Sequence, residues 1–222
     1  MRRTLSLLLL ALAIVACASD PLAPGQPQAA SVVTLLRVAG PPPCLGLPEE
    51  RCRYADSYEP RCAAFALARQ GQTMLVTASH CVPESATSLT RLHFFAPSGW
   101  GHGHAYLLER DAAADVAFLA LGEPELVTPL RMGKSPLVGE SVWSYSPIYR
   151  ERSDGDVMGW LGGDWFETSQ TVSKGWSGSP VLDAGGDVVG VVSQCPTANS
   201  GATVRCAPGR AVVTSALCFG AN

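Results

Sequence analysis

Three side chains of the kinds that nucleophilic acyl transfer requires occur at separate points along this sequence. Ser177 lies in the glycine-rich turn GWSGSP at 175–180, which exposes a small hydroxyl just before an apolar run. A serine hydroxyl is a weak nucleophile at neutral pH, so this chemistry needs a base that takes its proton and an acid that orients the base. The candidates for the base and the acid are His80 and Asp115.

The base and the acid each adjoin an apolar run that is typical of a buried strand. His80 follows the run that begins at Met74, and Asp115 directly precedes the run at 116–121. Burial of a lone carboxylate is costly unless another group hydrogen-bonds it, and an imidazole can be that group. We therefore expect the two side chains to meet. The competing acid, Asp111, lies in a polar turn and is assigned to solvent.

The composition indicates an all-β protein without a nucleic-acid partner. The sequence has 22 Gly and 17 Pro, and residues of this kind separate many short apolar runs. After the N-terminal segment about 200 residues remain, enough for one large domain or two small barrels that share a cleft. The net charge is −3 and no basic patch is present, which argues against binding to nucleic acid.

The sequence around the three residues resembles the motifs of the trypsin/chymotrypsin-like serine proteases. Residues 77–81, TASHC, are similar to the family motif TAAHC; residues 115–121, DVAFLAL, to DIALLxL; and residues 175–180 to GDSGGP. The order His, Asp, Ser along the chain is also the order of this family. A fourth segment, Pro208-Gly209, resembles the PG that closes the specificity pocket.

The resemblance implies an all-β fold, two six-stranded Greek-key β-barrels with the active site in the cleft between them. Within a protease domain at 41–222, the first barrel would span about 60–128 and the second about 129–218. The implied activity is that of a serine endopeptidase, a hydrolase that acts on a protein or peptide substrate without a cofactor. His102 and His104 could suggest a metal site, but without a nearby carboxylate or cysteine cluster they are more typical of a strand or loop face.

The resemblance also implies roles for single residues. Ser177 would be the nucleophile, His80 the base and Asp115 the group that orients the base. The backbone N–H groups of Gly175 and Ser177 would form the oxyanion hole. Ser193 matches a position whose side chain commonly hydrogen-bonds the buried aspartate. The residues expected to bind substrate are Thr171 at the base of the primary pocket, Ser193 and Cys195 along its edge, and Gly209 on the opposite wall.

Trp176 departs from the family pattern, because activated members have at this position an aspartate that binds a newly cut N-terminus. Arg37-Val38 resembles an activation site, but a new ammonium at Val38 would find no acid at 176. We therefore expect a domain that is built active or is switched by its own loops. Trp176 would either pack as an apolar plug or distort the oxyanion turn. The alternative is a catalytically impaired pseudoprotease that serves as an extracytoplasmic protein-binding module. An esterase of the α/β-hydrolase type is disfavoured, because its alternating helices are not evident.

The N-terminus predicts export of a bacterial lipoprotein. Basic residues at 1–3 precede an apolar run at 5–15, which is too short to span a bilayer and is typical of a signal peptide. The sequence IVAC that ends at Cys17 resembles the bacterial lipobox, so we expect lipid on Cys17; ordinary cleavage after Ala18 is the alternative. Residues 18–40 would form a flexible tether. The protein would then be a monomer held at a membrane of the cell envelope, by resemblance the outer membrane, or secreted.

Cysteine usage agrees with export. Of the 8 cysteines, seven remain once Cys17 is set aside, which is many for a reducing cytosol. The resemblance implies the disulfides Cys62–Cys81 and Cys195–Cys206. A third disulfide could join Cys44 and Cys52, which are close in sequence. Cys218 would be unpaired or would take a partner from the last of these pairs.

The primary pocket is expected to select small or medium uncharged side chains. No acid occurs at 171–173, and Cys195 would narrow the entrance while Gly209 leaves the opposite wall open. Profiling of cleavage on a peptide library should therefore show small or medium uncharged residues before the cut bond. Dominant cleavage after Arg or Lys would contradict this expectation.

Overall fold

Short apolar runs bounded by turn residues form the strands of this protein. The computed structural model describes residues 31–39, 57–96, 101–194 and 211–215. The strands in that part of the chain are β1 Val32–Ala39, β2 Ser57–Arg69, β3 Gln72–Ala78, β4 Arg91–Ala96, β5 Gly101–Asp111, β6 Val116–Leu121, β7 Ser141–Ser146, β8 Glu151–Gly162, β9 Trp165–Thr168, β10 Pro180–Leu182, β11 Val188–Gln194 and β12 Ala211–Ser215. Two short 3-10 helices lie at Ser79–Cys81 and Pro124–Leu126. None of the helices within the described ranges has the length and apolar character of a bilayer span.

The twelve described strands form two closed barrels of six strands each. The strand order is β1-β2-β3-β6-β5-β4 in the first barrel and β10-β11-β12-β9-β8-β7 in the second. Every pair of neighbouring strands is antiparallel. Closure leaves no sheet edge without a partner. The predicted fold of two six-stranded Greek-key barrels is confirmed.

Apolar side chains fill the interior of each barrel. On β4, Phe94 is fully buried, and its ring covers Gly103, its partner on β5. A Cβ at position 103 would collide with that ring, so the glycine makes room for the largest side chain of this layer. In the second barrel, Phe166 on β9 is equally buried, and Val181 and Val189 pack in the same cluster.

A further apolar cluster contains side chains from both barrels and holds them together. Phe65 and Leu67 of β2 belong to it together with Leu182 and Val191 of the second barrel. Removal of one such fully buried phenyl ring costs about 3 to 5 kcal/mol. The cleft between the barrels therefore has walls that are fixed by a shared core.

Strand β1 corrects the predicted domain boundaries. Residues 18–40 were expected to form a tether, but β1 pairs along its length with β2 and also with β4, and Val32 and Val33 are fully buried. The first barrel therefore begins at Val32 and not near residue 60. The Pro- and Ala-rich composition before residue 31 obscured the β-branched, apolar run SVVTLL, which is itself a strand signal. The rest of that segment, with Cys17, lies outside the described residues.

The position of the Arg37–Val38 bond within β1 predicts that this bond stays intact in the folded protein. Both residues are paired with β2, opposite Glu59 and Tyr58, whereas proteases cut preferentially in exposed loops. Mass spectrometry of the mature protein should therefore find an N-terminus that precedes β1. A catalytically active form that begins at Val38 would contradict this prediction. Protein unfolded in urea, in which the strand pairing is lost, is the positive control for cutting at Arg37.

Candidate active site

His80 is placed by the end of β3. The 3-10 helix Ser79–Cys81 turns the chain immediately after Ala78, and the His80 side chain is about half exposed. Its Nδ1 lies 2.8 Å from Oδ2 of Asp115, and its amide donates to Oδ1 over 2.9 Å. Because an ionised carboxylate only accepts, Nδ1 carries the proton and Nε2 is left as an acceptor.

The backbone at Asp115 lies in the left-handed region, with a φ of +52°, which is uncommon for a residue that has a Cβ. The turn before it is closed by Asp111, whose Oδ1 accepts the amides of Ala113 and Ala114 at 2.9 Å each. The carbonyl of Asp115 accepts the amide of Ser79 at 2.9 Å. Asp111, which we assigned to solvent, thus shapes the turn that presents the buried acid. An aspartate two residues before a turn amide is the sequence signal for this role.

Ser193 reaches Asp115 from the second barrel by means of a β-bulge. The register of β11 against β12 shifts between Val192 and Gln194, which leaves Ser193 unpaired in that ladder. Bulges re-aim the side chain of the extra residue, and the buried Ser193 hydroxyl donates to Oδ2 of Asp115. The acid therefore receives hydrogen bonds from both barrels.

Asp115 is a buried carboxylate with three donors. Burial raises its pKa, but the hydrogen bonds from the His80 side chain, the Ser193 hydroxyl and the His80 amide outweigh burial and leave the pKa below its ordinary value. The group is therefore ionised at neutral pH.

Ser177 lies at the interface between the barrels. Its carbonyl accepts the amide of Ala63 on β2 over 2.8 Å, and its hydroxyl donates to the carbonyl of Ser193 over 3.3 Å. Among the described residues, no hydrogen bond joins this hydroxyl to His80. The structure thus brings Ser177 beside Ser193, and through Ser193 beside Asp115, with the hydroxyl directed to a backbone oxygen.

The amides of the turn differ in their hydrogen bonds. The amides of Trp176, Gly178 and Ser179 donate to backbone carbonyls of Ser173, Val192 and Trp176, at 3.1, 2.7 and 2.9 Å. The amides of Gly175 and Ser177 have no acceptor within the described part of the chain. These are the two N–H groups that the resemblance implies for the oxyanion hole.

Gly178 allows the turn to pack directly on the first barrel. Its φ is +84°, and a Cβ there would collide with the carbonyl oxygen of Ala63 and the hydroxyl of Thr77. That hydroxyl donates to the same carbonyl over 2.7 Å. Because a backbone carbonyl cannot move aside as a side chain can, only glycine fits this contact.

Trp176 packs inside the second barrel. It is 4% exposed and lies in one cluster with Val172 and Phe166. Of the two arrangements considered for this residue, the structure has the apolar plug. The buried indole lies next to the turn and is not an acceptor for the amides of Gly175 and Ser177.

A disulfide between Cys62 and Cys81 connects β2 to the turn that carries His80, with the Cα atoms 6.0 Å apart. This is the pairing that the resemblance implied. Potential ligand atoms of both cysteines and His80 lie within 4.8 Å of one another, but sulfurs that are bonded to each other offer no thiolate to a metal. The remaining expected pairings involve Cys44, Cys52, Cys195, Cys206 and Cys218, which lie outside the described residues.

The residues expected to bind substrate are described only in part. Thr171 is exposed, and its neighbour Val172 is buried against Trp176. Cys195 and Gly209 lie outside the described residues. His104, considered above as a metal ligand, instead bonds Glu123 through Nδ1 at 3.1 Å.

The two closed six-stranded barrels have the fold of the trypsin/chymotrypsin class. The family model of the trypsin-like peptidase domain matches residues 62–191, more than half of the chain, and the chain belongs to this family. Among solved structures, it is similar to an HtrA-type protease AlgW with decapeptide, with a TM-score of 0.63 and 17% sequence identity. The match covers 86% of this chain and 62% of the AlgW chain, and at this identity it shows the fold. A search of curated proteins finds no match.

The hydrogen bonds to Asp115 predict a pH-dependent contribution to stability. Near neutral pH, Asp115→Asn should lower the free energy of unfolding by about 2 kcal/mol, because charge-assisted hydrogen bonds are lost. The lowered pKa means that the folded state binds fewer protons than the unfolded state. The wild-type advantage is therefore present above about pH 4 and disappears as the pH falls through the folded pKa. Urea unfolding of both proteins across this pH range measures the difference in their free energies of unfolding. A difference that does not change with pH would contradict the prediction.

Proposed function

We propose that this protein is an exported serine endopeptidase that cleaves peptide bonds through an acyl-enzyme on Ser177. The observation that carries the proposal is the Asp115 carboxylate, which is bonded to His80 of the first barrel and to Ser193 of the second. Apolar packing would stabilise a barrel interface at lower cost than a buried charge. Catalysis explains why a buried carboxylate is present here, because it orients an imidazole next to the turn that carries the serine.

The proposed reaction has two halves that use the same base. His80 Nε2 takes the proton of Ser177 Oγ while Oγ forms a bond to the substrate carbonyl carbon. The imidazolium, stabilised by Asp115, then protonates the leaving amine as the C–N bond breaks. In the second half water replaces the amine, and its attack releases the acid product and restores the serine hydroxyl. Asp115 remains a carboxylate throughout.

The oxyanion of each tetrahedral intermediate would bind to the amides of Gly175 and Ser177. Both amides have no acceptor among the described residues, and Gly175 has a φ of +98° that a residue with a Cβ rarely adopts. One donor of this kind contributes about 3 to 4 kcal/mol to transition-state stabilisation.

Substrate binding itself would prepare the serine. The end of β11 would pair with an extended peptide as an added antiparallel strand, so that a substrate amide donates to the Ser193 carbonyl. That carbonyl now accepts the Ser177 hydroxyl at 3.3 Å. The substrate amide would displace the Ser177 hydroxyl, which would then turn towards His80. Catalytic hydrogen bonds often form only in the complex with substrate.

The same proposal includes a peptide substrate and a protease domain that is active without being cut. The solved structure of AlgW contains a decapeptide, which supports a peptide ligand for this cleft. The buried Trp176 and the Arg37–Val38 bond within β1 support a domain that needs no activation cleavage. Export and lipid on Cys17 complete the proposal, and the mass of the mature N-terminus distinguishes this lipid from cleavage after Ala18.

The contact between the Ser177 hydroxyl and the Ser193 carbonyl also favours a second candidate, a pseudoprotease that binds proteins without hydrolysing them. In that case the hydroxyl would stay on the carbonyl when a peptide binds. The two candidates make opposite predictions for covalent chemistry at Ser177.

Reaction with a fluorophosphonate probe tests the proposed function. The wild-type protein should be labelled on Ser177, and Ser177→Ala should lose the label completely because the nucleophile is absent. Ser179→Ala is the matched control, since it removes a buried hydroxyl that has no partner among the described residues and should leave labelling unchanged. Folded wild-type protein that is not labelled would contradict the endopeptidase and favour the binding module.

A further inference from the structure

We propose that Tyr149 is a positioning residue that holds the Lys174–Gly175 peptide with its N–H directed into the oxyanion hole. Tyr149 lies in the turn between β7 and β8, and its hydroxyl donates to the carbonyl of Lys174 over 2.6 Å. This inference rests on the proposed function, because it assigns a support to the oxyanion hole of that site.

The geometry of the peptide unit links this hydrogen bond to the hole. The C=O of Lys174 and the N–H of Gly175 belong to one planar unit, and the bond between them is trans. In a trans unit these two groups point in opposite directions. A donor that fixes the carbonyl on one side therefore fixes the N–H on the other, away from Tyr149.

The Lys174–Gly175 unit needs such a support because its surroundings leave it unattached. On either side of it, Val172 and Trp176 are buried in the second barrel. Between these two anchors Lys174 is exposed, and Gly175 has the backbone freedom of a residue without a Cβ. The hydroxyl of Tyr149 is the side-chain donor that the described part of the chain provides to this unit.

The turn that carries Tyr149 is itself fixed on the second barrel. The amide of Tyr149 donates to the hydroxyl of Ser146, a buried residue at the end of β7, over 3.4 Å. Ile148 of the same turn reaches to 3.4 Å from the position that a Cβ would have at Gly175. The tyrosine therefore connects a structured turn to the Lys174–Gly175 peptide, which lies between the buried Val172 and Trp176.

Loss of the hydroxyl should allow this peptide to rotate. A rotated unit would remove one donor and bring the Lys174 carbonyl towards the oxyanion, where it repels negative charge. The transition state would be affected and the bound ground state would not, so the change should appear in kcat. Because the peptide would not be rotated in every molecule, we expect Tyr149→Phe to lower kcat by about 10- to 100-fold, less than the 10²- to 10³-fold loss of a whole donor, with KM changed by less than about 2-fold.

The test compares Tyr149→Phe and Tyr149→Ala with the wild type on one peptide substrate. Equal losses of kcat in both variants would support the role of the hydroxyl. Affinity for a peptidyl boronate, whose adduct places an oxygen in the hole, should fall in the same proportion. Tyr145→Phe is the matched control, because Tyr145 packs against the cluster shared by the two barrels and its hydroxyl has no hydrogen-bond partner among the described residues.

Three outcomes would overturn the inference. A Phe variant with wild-type kcat, or a loss confined to the Ala variant, would mean that the ring packs and the hydroxyl does not act. A rise in KM at unchanged kcat would place Tyr149 in substrate binding instead. Each of these leaves the proposed function standing, whereas a folded wild-type protein that does not react with a fluorophosphonate would overturn both.

Discussion

The buried Asp115 carboxylate is the group on which the rest of this site depends. A charge removed from water is stable only when donors surround it, and the donors here come from two barrels. His80 contributes its ring and its amide from the end of β3, while Ser193 contributes its hydroxyl from β11. The requirement of one carboxylate for hydrogen bonds therefore links His80 of the first barrel to Ser193 of the second.

The nucleophile turn is fixed to the same interface by close packing. Gly178 lies against the backbone of Ala63, the carbonyl of Ser177 binds the amide of that residue, and Trp176 fills the second barrel. Each of these contacts uses backbone or buried apolar atoms, which have little freedom to rearrange. Lys174 in this turn is exposed, and the residue after it, Gly175, carries one of the amides on which catalysis would depend.

The sequence predicts the reacting residues of the site better than the residues that hold them in position. The meeting of His80 and Asp115 follows from the cost of burying a lone acid at the start of an apolar strand, and the all-β fold follows from short runs between turn residues. The bulge at Ser193 depends on the register of β11 against β12, which no local pattern encodes. The role of Asp111 has a local signal, because an aspartate two residues before a turn amide can accept its hydrogen bond. The contact of Tyr149 with Lys174 joins distant parts of the chain and has no local sequence signal. Strand β1 was missed because the segment before it has the composition of a linker.

If Cys17 carries lipid, as proposed, the early start of β1 also limits how far the domain could lie from a membrane. Between Cys17 and Val32 there are 14 residues, 18–31, where the expected tether at 18–40 would have had 23. A chain of that length spans at most about 50 Å when fully extended. With lipid on Cys17, the first barrel would begin no farther than this from the bilayer surface, a distance comparable to the size of the domain. The substrates of such an enzyme would be confined to proteins that come within the combined length of the tether and the domain from the lipid headgroups.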